Sequence, residues 1–248
     1  MSKPILFFPY HDPDAKYAFA LLESLDELKG LFSEVCVGVT TKTAETQKQL
    51  LDRLAERGCH LLLYPEASNM GMHQKLGLEF ASRTNDQASI FFGYIDRILY
   101  ALKTQHREAF VRDISKDYES DLVIFSRSQK AWDTHPKAYR DIECAIIDIG
   151  EAYIGKRMDW TWCGAIFKNE CAKKIYPLAK ADDFSIIGEF ILINRKLGGS
   201  LDNQFVDWLE WEDPFWDNKK TIDQPASKQE LDFRLTYSLN VAKLFLEM

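Results

Sequence analysis

The first 64 residues alternate short apolar runs with amphipathic stretches, and that rhythm limits the possible folds more than any other feature. Residues 5–8, 35–39 and 59–64 are continuous apolar runs of strand length, as expected of strands buried on both faces. Between the first two, residues 15–28 carry Ala18, Leu21, Leu22 and Leu25 at helical spacing and stop at Gly30. A second helical stretch runs from Thr43, a good N-cap, through Leu50, Leu51 and Leu54 to Gly58. Strands joined by helices through such short connections pair in parallel, with helices covering the sheet.

The pattern continues. Residues 71–82 read as a helix, and residues 89–93 as a buried strand that leads into Tyr94, Asp96 and Arg97. Residues 98–102 read as a helix, residues 122–125 as a strand, and residues 126–135 as a polar loop. Pro136 opens a helix bearing Ile142, Ala145, Ile146 and Ile149. The aromatic stretch 159–167 is a strand candidate, and Asn169 is placed to cap a helix through Ile175. Residues 186–197 form a helix closed by Gly198 and Gly199, and residues 205–211 are a last strand candidate. Ser227 and Glu230 make a capping box for a helix to about Leu246. The length of 248 residues fits one large α/β domain, and no repeat or long linker divides it.

Charge and cysteine usage exclude several classes. With 31 basic and 38 acidic residues the net charge is −7, which argues against nucleic-acid and anionic-membrane partners. No run reaches the ~18 apolar residues of a transmembrane segment, and Met1-Ser2-Lys3-Pro4 leads directly into a strand rather than a signal peptide. Cys36, Cys59, Cys144, Cys163 and Cys171 are scattered, without a C-x-x-C pair. The plain expectation is reduced thiols in a cytoplasmic protein, without a zinc cluster.

The turn after the first strand has no glycine, which removes both the dinucleotide fingerprint and the P-loop. No G-x-S-x-G elbow is present, and the five histidines are dispersed. What remains is a set of polar groups at predicted strand ends: His11 and Asp12, then residues 66–69, then Asp96 and Arg97, then residues 126–135. In an open α/β sheet that edge is where ligands sit. Arg97 can be the ion-pair partner of Asp96, or Asp96 can hold a metal that carries a ligand phosphate.

Asn69-Met70-Gly71 before a helix, followed by a strand that leads to Asp96-Arg97, resembles the order in GT-A glycosyltransferases, the nucleotide-diphospho-sugar transferase superfamily. Downstream, Arg127-Ser128, Ala131-Trp132, Thr134-His135-Pro136, Arg140 and Glu143 are similar to a bacterial GT-A-like group. That group has a D-F-D-R strand end and an R-T-x-R-A-F-x-T-H-P block. Residues 159–165 and Gly188-Glu189-Phe190 resemble its later blocks. The resemblance covers most of the chain and departs at Tyr94, which stands where the first Asp of D-x-D would be.

The resemblance implies a single GT-A-like domain with a mostly parallel sheet. Residues 1–104 would be its nucleotide-binding half and residues 105–248 its acceptor-side half. It implies a hexosyltransferase-like enzyme that uses a nucleotide-diphosphate sugar, a glycan or small-molecule acceptor, and Mn or Mg. Asp96 is the expected metal ligand, and Glu189 the expected base or acceptor-binding carboxylate. His11, Asp12, Asn69, Tyr94, Arg97, Arg127, His135 and Trp162 are expected to bind substrate. Arg127 has an alternative as an ion-pair partner of Glu143 or another carboxylate, and His135 as a helix cap. Trp160, Trp162, Trp208 and Trp211 would line a sugar-stacking surface or fill the core. The altered D-x-D leaves open a non-catalytic protein that binds a nucleotide or glycan.

Overall fold

The computed structural model describes residues 3–161, 164–211 and 227–247. Among them, β1 (Ile5–Tyr10), β2 (Glu34–Val39), β3 (His60–Leu63), β4 (Ile90–Phe92), β5 (Leu122–Arg127), β6 (Gly164–Phe167) and β7 (Leu201–Val206) form one sheet. Its order is β3-β2-β1-β4-β6-β5-β7. The pairs β1–β2, β1–β4, β2–β3 and β5–β7 are parallel, and β6 runs antiparallel to both β4 and β5. Six strands therefore point one way and β6 alone is reversed.

Helices cover both faces, which is why the strands read as unbroken apolar runs. Leu6, Phe8, Val37, Phe91, Val123 and Phe125 face one core. It is closed by α1 (Ala18–Leu31), α3 (Lys48–Glu56), α5 (Ile95–Lys103) and α6 (Arg107–Ser115). Phe7, Ile90, Phe92, Leu122, Ile124 and Phe167 face the other. There they meet α4 (Met70–Thr84), α8 (Lys137–Ile154), α9 (Asn169–Ile175), α10 (Ile186–Lys196) and α11 (Lys228–Leu246). Each fully buried large apolar side chain contributes about 1.5–3 kcal/mol. Among the described residues no helix is long and apolar enough to cross a membrane.

Several local expectations are corrected, each by a tertiary contact. The first strand runs past the expected residues 5–8, through Pro9 to Tyr10. Ile5 donates its N–H toward β4, so the nitrogen of Pro9 faces the same side, beyond the end of three-residue β4. Its missing donor leaves no ladder bond unmade. Gly30 is inside α1, not past its end. Thr43 does not cap a helix: it lies within α2 (Thr41–Thr46), and its hydroxyl accepts the Asp12 N–H at 2.9 Å. Thr40 takes the N-cap position instead. Asn169 sits inside α9 and spends its amide on the carbonyls of Ser82 and Asn85 at 3.0 Å. Of the strand expected over 159–167, the described residues show Gly164–Phe167, while Asp159 lies outside it with its carboxylate on the buried Arg127. The last strand is Leu201–Val206, four residues earlier than expected, since pairing with β5 outweighs its polar sequence.

Candidate active site on the carboxyl rim of the sheet

Because six strands share one direction, the segments after β1, β2, β3, β4, β5 and β7 collect on one edge. An open cavity of about 290 Å³ lies there, at the ends of β1, β2 and β3. The segment after β1 contributes His11, whose Nδ1 lies 2.9 Å from the Thr40 hydroxyl. The segment after β2 contributes Thr40, Thr41, Lys42 and Glu45, and the segment after β3 contributes Pro65, Glu66 and Ser68. His73, one turn into α4, closes the cavity. Its ring stacks on Tyr64 at 4.1 Å, and Nε2 lies 2.7 Å from the Ser68 hydroxyl. Burial, and secondarily the nearby His11, lowers the His73 pKa, which keeps this imidazole neutral at pH 7. The volume is at the lower end of small-molecule sites, roughly 300–1,000 Å³.

Asp12 stands behind this cavity rather than in its wall. It is buried, with Oδ1 accepting the Lys16 N–H at 2.8 Å. Its Oδ2 accepts the Tyr17 N–H at 2.8 Å and the Tyr10 hydroxyl at 2.9 Å. The carboxylate thus organises the turn into α1, whose N-cap Tyr17 makes no side-chain cap bond.

Asn69 caps α4, accepting the Met72 N–H at 2.8 Å, and donates from its amide to Asp182 Oδ1 at 3.0 Å. Gly71 donates its N–H to the Asp182 carbonyl at 3.1 Å. A Cβ on Gly71 would come within 1.9 Å of the Ala181 carbonyl oxygen. The Asn-Met-Gly segment is therefore a dock for the loop between α9 and α10. Lys75 adds a bond to the Ala179 carbonyl at 3.0 Å. From the far side Glu189 accepts the N–H groups of Lys180 and Ala181 at 2.8 Å each.

Asp96 and Arg97 lie in the first turn of α5, not at the end of β4. A carboxylate there is favoured by the partial positive charge of the helix start. Arg97 Nε donates to Asp96 Oδ2 at 3.0 Å, and Arg97 Nη1 donates to the Glu210 carbonyl. Asp96 remains about one-third exposed. Tyr94 turns inward: its ring packs edge-on against Phe92 at 5.5 Å, and its hydroxyl accepts from Gln74 Nε2 at 3.1 Å. Among the described residues no three His, Cys, Asp or Glu side chains converge on a metal-sized point. One carboxylate fits a divalent cation that completes its shell with diphosphate oxygens and water, and does not fit an all-protein cage.

Arg127 and His135 are interior residues. Arg127 donates from Nε and Nη2 to the two Asp159 oxygens at 2.7 Å each, and from Nη2 to Glu143 at 2.6 Å. Its guanidinium lies 3.6 Å above the Trp132 ring. Glu143 also accepts from Arg234 and from the Tyr237 hydroxyl, the latter at 2.6 Å. Burial alone would raise the Glu143 carboxyl, but Arg127, Arg234 and Tyr237 hold it down to about 2. His135 donates from Nδ1 to the Ala131 carbonyl at 2.8 Å, so Nε2 faces Arg127 unprotonated, 3.4 Å away. Burial, then Arg127, lowers its pKa to about 3. The segment expected to be a polar loop, 126–135, instead completes β5 and forms α7 (Gln129–Asp133), capped by Ser128, beside this network. Trp160 and Trp208 are core residues. Trp162 lies outside the described residues, and Trp211 packs on His135 at 5.3 Å.

His11 thus follows β1, and Asp96 and Arg97 open α5 just after β4, the strand that pairs directly with β1. Sequence reasoning missed the β2 contribution, Thr40 to Glu45, although its position after an apolar run is the same signal that flagged His11. His73 carried no sequence signal, because only the turn between β3 and α4 folds it back.

No family model matches the chain, and no curated protein matches its sequence. Solved structures do match. Glucosyl-3-phosphoglycerate synthase from Mycobacterium tuberculosis, in complex with Mn2+, UDP-glucose and phosphoglyceric acid, superposes with TM-score 0.61 at 14% identity. The match covers 99% of this chain and 79% of that one. The same enzyme with Mn2+, UDP and glucosyl-3-phosphoglycerate matches with TM-score 0.58 at 13% identity over the same shares. A structure described only as a mycobacterial protein matches with TM-score 0.58 at 12% identity, over 99% of this chain and 74% of that one. At such identities the likeness is one of fold, and the chain has a GT-A-like fold.

Proposed function

We propose that this protein is a GT-A-type glycosyltransferase that takes a sugar from a nucleotide-diphosphate donor, a UDP-sugar first among them. The acceptor is a glycan or small molecule. The observation that carries this reading is the open cavity at the ends of β1–β3, together with the neighbouring strand β4, which leads into the helix start that bears Asp96. It lies in a fold shared with an enzyme crystallised with UDP-glucose and Mn2+. Residues 1–104 form the donor half and residues 105–248 the acceptor half. The free thiols of Cys36, Cys59, Cys144 and Cys171 support a cytoplasmic location.

In this reading His11, Thr40 and His73 contact the nucleoside in the cavity. A sugar nucleotide leaves as a diphosphate, whose developing charge must be neutralised in place. Asp96 would hold a divalent cation that supplies this neutralisation. Arg97 and the first N–H groups of α5 add positive potential at the same end of β4. Asn69 acts on the acceptor side through Asp182, and Glu189 fixes the loop at Lys180 and Ala181 from below. Arg127 and His135 support the rim from the interior rather than touching phosphate.

One observation favours a second reading, a non-catalytic protein that binds a nucleotide or glycan. Tyr94 removes one carboxylate from the rim, and Asp96 is paired with Arg97. Calorimetric titration with UDP-, GDP- and TDP-sugars, with and without Mn2+, tests the main proposal. The expected result is binding of a UDP-sugar that Mn2+ strengthens, and absence of binding to every donor would overturn it. Bound donor that is neither hydrolysed nor transferred would select the second reading.

A further inference from the structure

α8 and α11 pack against each other, and both expose apolar side chains beside their joint. On α11, Leu235, Leu239, Ala242 and Leu246 follow the i, i+4, i+7, i+11 spacing of a single stripe. Leu235 is 46% exposed, Leu239 59% and Leu246 76%. The adjacent side of the helix is buried through Arg234, Tyr237, Val241 and Phe245. On α8, Ala145, Ile149, Ala152 and Tyr153 share one exposed face, with Ile149 40% and Tyr153 51% exposed. Tyr153 stacks on Phe245 at 5.5 Å, so the two stripes adjoin across the helix joint. Among the described residues, other exposed large apolar side chains such as Phe19, Leu63 and Phe205 come from separate elements, and Phe233 lies on another side of α11. A joined apolar face on two helices is the kind of surface that monomers rarely leave bare.

We propose that this α8–α11 face is a two-fold interface between two copies of this chain. Taking roughly 150 Å² for each fully exposed side chain, the low end of the aromatic range, the five partly exposed large residues present on the order of 400 Å² of apolar surface. A standard interface buries about 800 Å² per partner, a little over half of it apolar, and the face supplies most of that. Because both stripes lie on one face, a two-fold axis along it sets the α11 stripe of each copy against the α8 stripe of the other, a contact that closes at two copies. An anionic lipid surface is a poorer occupant. The chain carries net charge −7, and the carboxylates beside the face on α8, Asp141, Asp148 and Glu151, already hold the nearby bases Lys137 and Arg157 in ion pairs.

Sedimentation velocity of the full chain over a concentration series tests the proposal, with Leu239→Glu and Ile149→Arg as variants from the two helices. The expected result is a dimer in the low micromolar range whose dissociation constant rises at least tenfold in both variants. Their thermal melts, extrapolated to dilute monomer, should stay within a few degrees of the parent. Both sites are exposed, so either variant can fold, and each serves as a check on the other. A chain that stays monomeric at every concentration overturns the proposal. So does a dimer that neither variant weakens, which would use another surface. Flotation of a monomeric chain with phosphatidylcholine–phosphatidylglycerol vesicles would assign the face to lipid and also overturn it.

Discussion

Asp96 and Tyr94 stand two residues apart, and their surroundings set opposite expectations for substitution. Asp96→Asn keeps the shape and the cap-like position at the start of α5 but removes the charge that would hold a cation. The expected outcome is a fall of tenfold or more in Mn2+-dependent UDP affinity, with a stability change under about 1 kcal/mol because the Arg97 pair is partly solvated. Tyr94→Asp should strengthen metal-dependent binding while costing stability, since its ring is packed against Phe92. Titration calorimetry and melts on both variants check this, and unchanged affinity in both would move the nucleotide away from this strand end. His135 carries a pH prediction. Its folded pKa is lowered to about 3, so the unfolded chain binds a proton that the folded chain refuses. Stability from this group is complete above about pH 6.5 and declines as pH falls toward 3, by up to about 1.4 kcal/mol per unit. Denaturant melts of His135→Gln should show a shallower decline than the parent between pH 6.5 and 4.

At the scale of elements, the start of α4 and the loop before α10 act as one unit. Asn69, Gly71 and Lys75 bond to Asp182 and Ala179 from one side, and Glu189 holds Lys180 and Ala181 from the other. Gly71→Ala would drive a Cβ into the Ala181 carbonyl. The expected cost is about 1–3 kcal/mol, with faster amide exchange at Lys180 and Ala181 than in the parent. Normal stability together with unchanged exchange would show that the loop is not docked there. The same logic runs deeper between α8 and α11, where Glu143 joins Arg127 to Arg234. Such a buried network gives little net stability when complete, but removing one member costs about 3–5 kcal/mol. Its consequence for the site is geometric: the end of β5 and the segment from Asp159 are held in one arrangement.

For the whole molecule, a ligand that binds only the folded chain must raise its melting temperature. UDP with Mn2+ at a hundred times its dissociation constant should stabilise by about 2.7 kcal/mol. In a domain of this size that corresponds to roughly 5–10 °C. Differential scanning calorimetry with UDP, with Mn2+ alone and with both separates the contributions. The rise should require both, and a rise with Mn2+ alone would point to a metal site away from the nucleotide.

The parallel sheet was legible in the sequence because its strands are buried on both faces, which writes runs such as Leu6-Phe7-Phe8 and Ile90-Phe91-Phe92 directly into the chain. The single sheet edge on which His11, Asp96 and Arg97 gather followed from strand direction alone. Local chemistry also determined the Ser227–Glu230 capping box, which the structure contains. The roles of individual polar residues were decided only by tertiary structure, because a side chain's partner can lie anywhere along the chain. Arg127 is bound to Asp159, which is 32 residues away, and Arg234 to Glu143, which is 91 away. Thr43 gave up a cap for Asp12, and His73 reached the cavity through a fold-back of the chain. Strand reversal at β6 likewise has no local signature, since a short apolar strand reads the same in either direction.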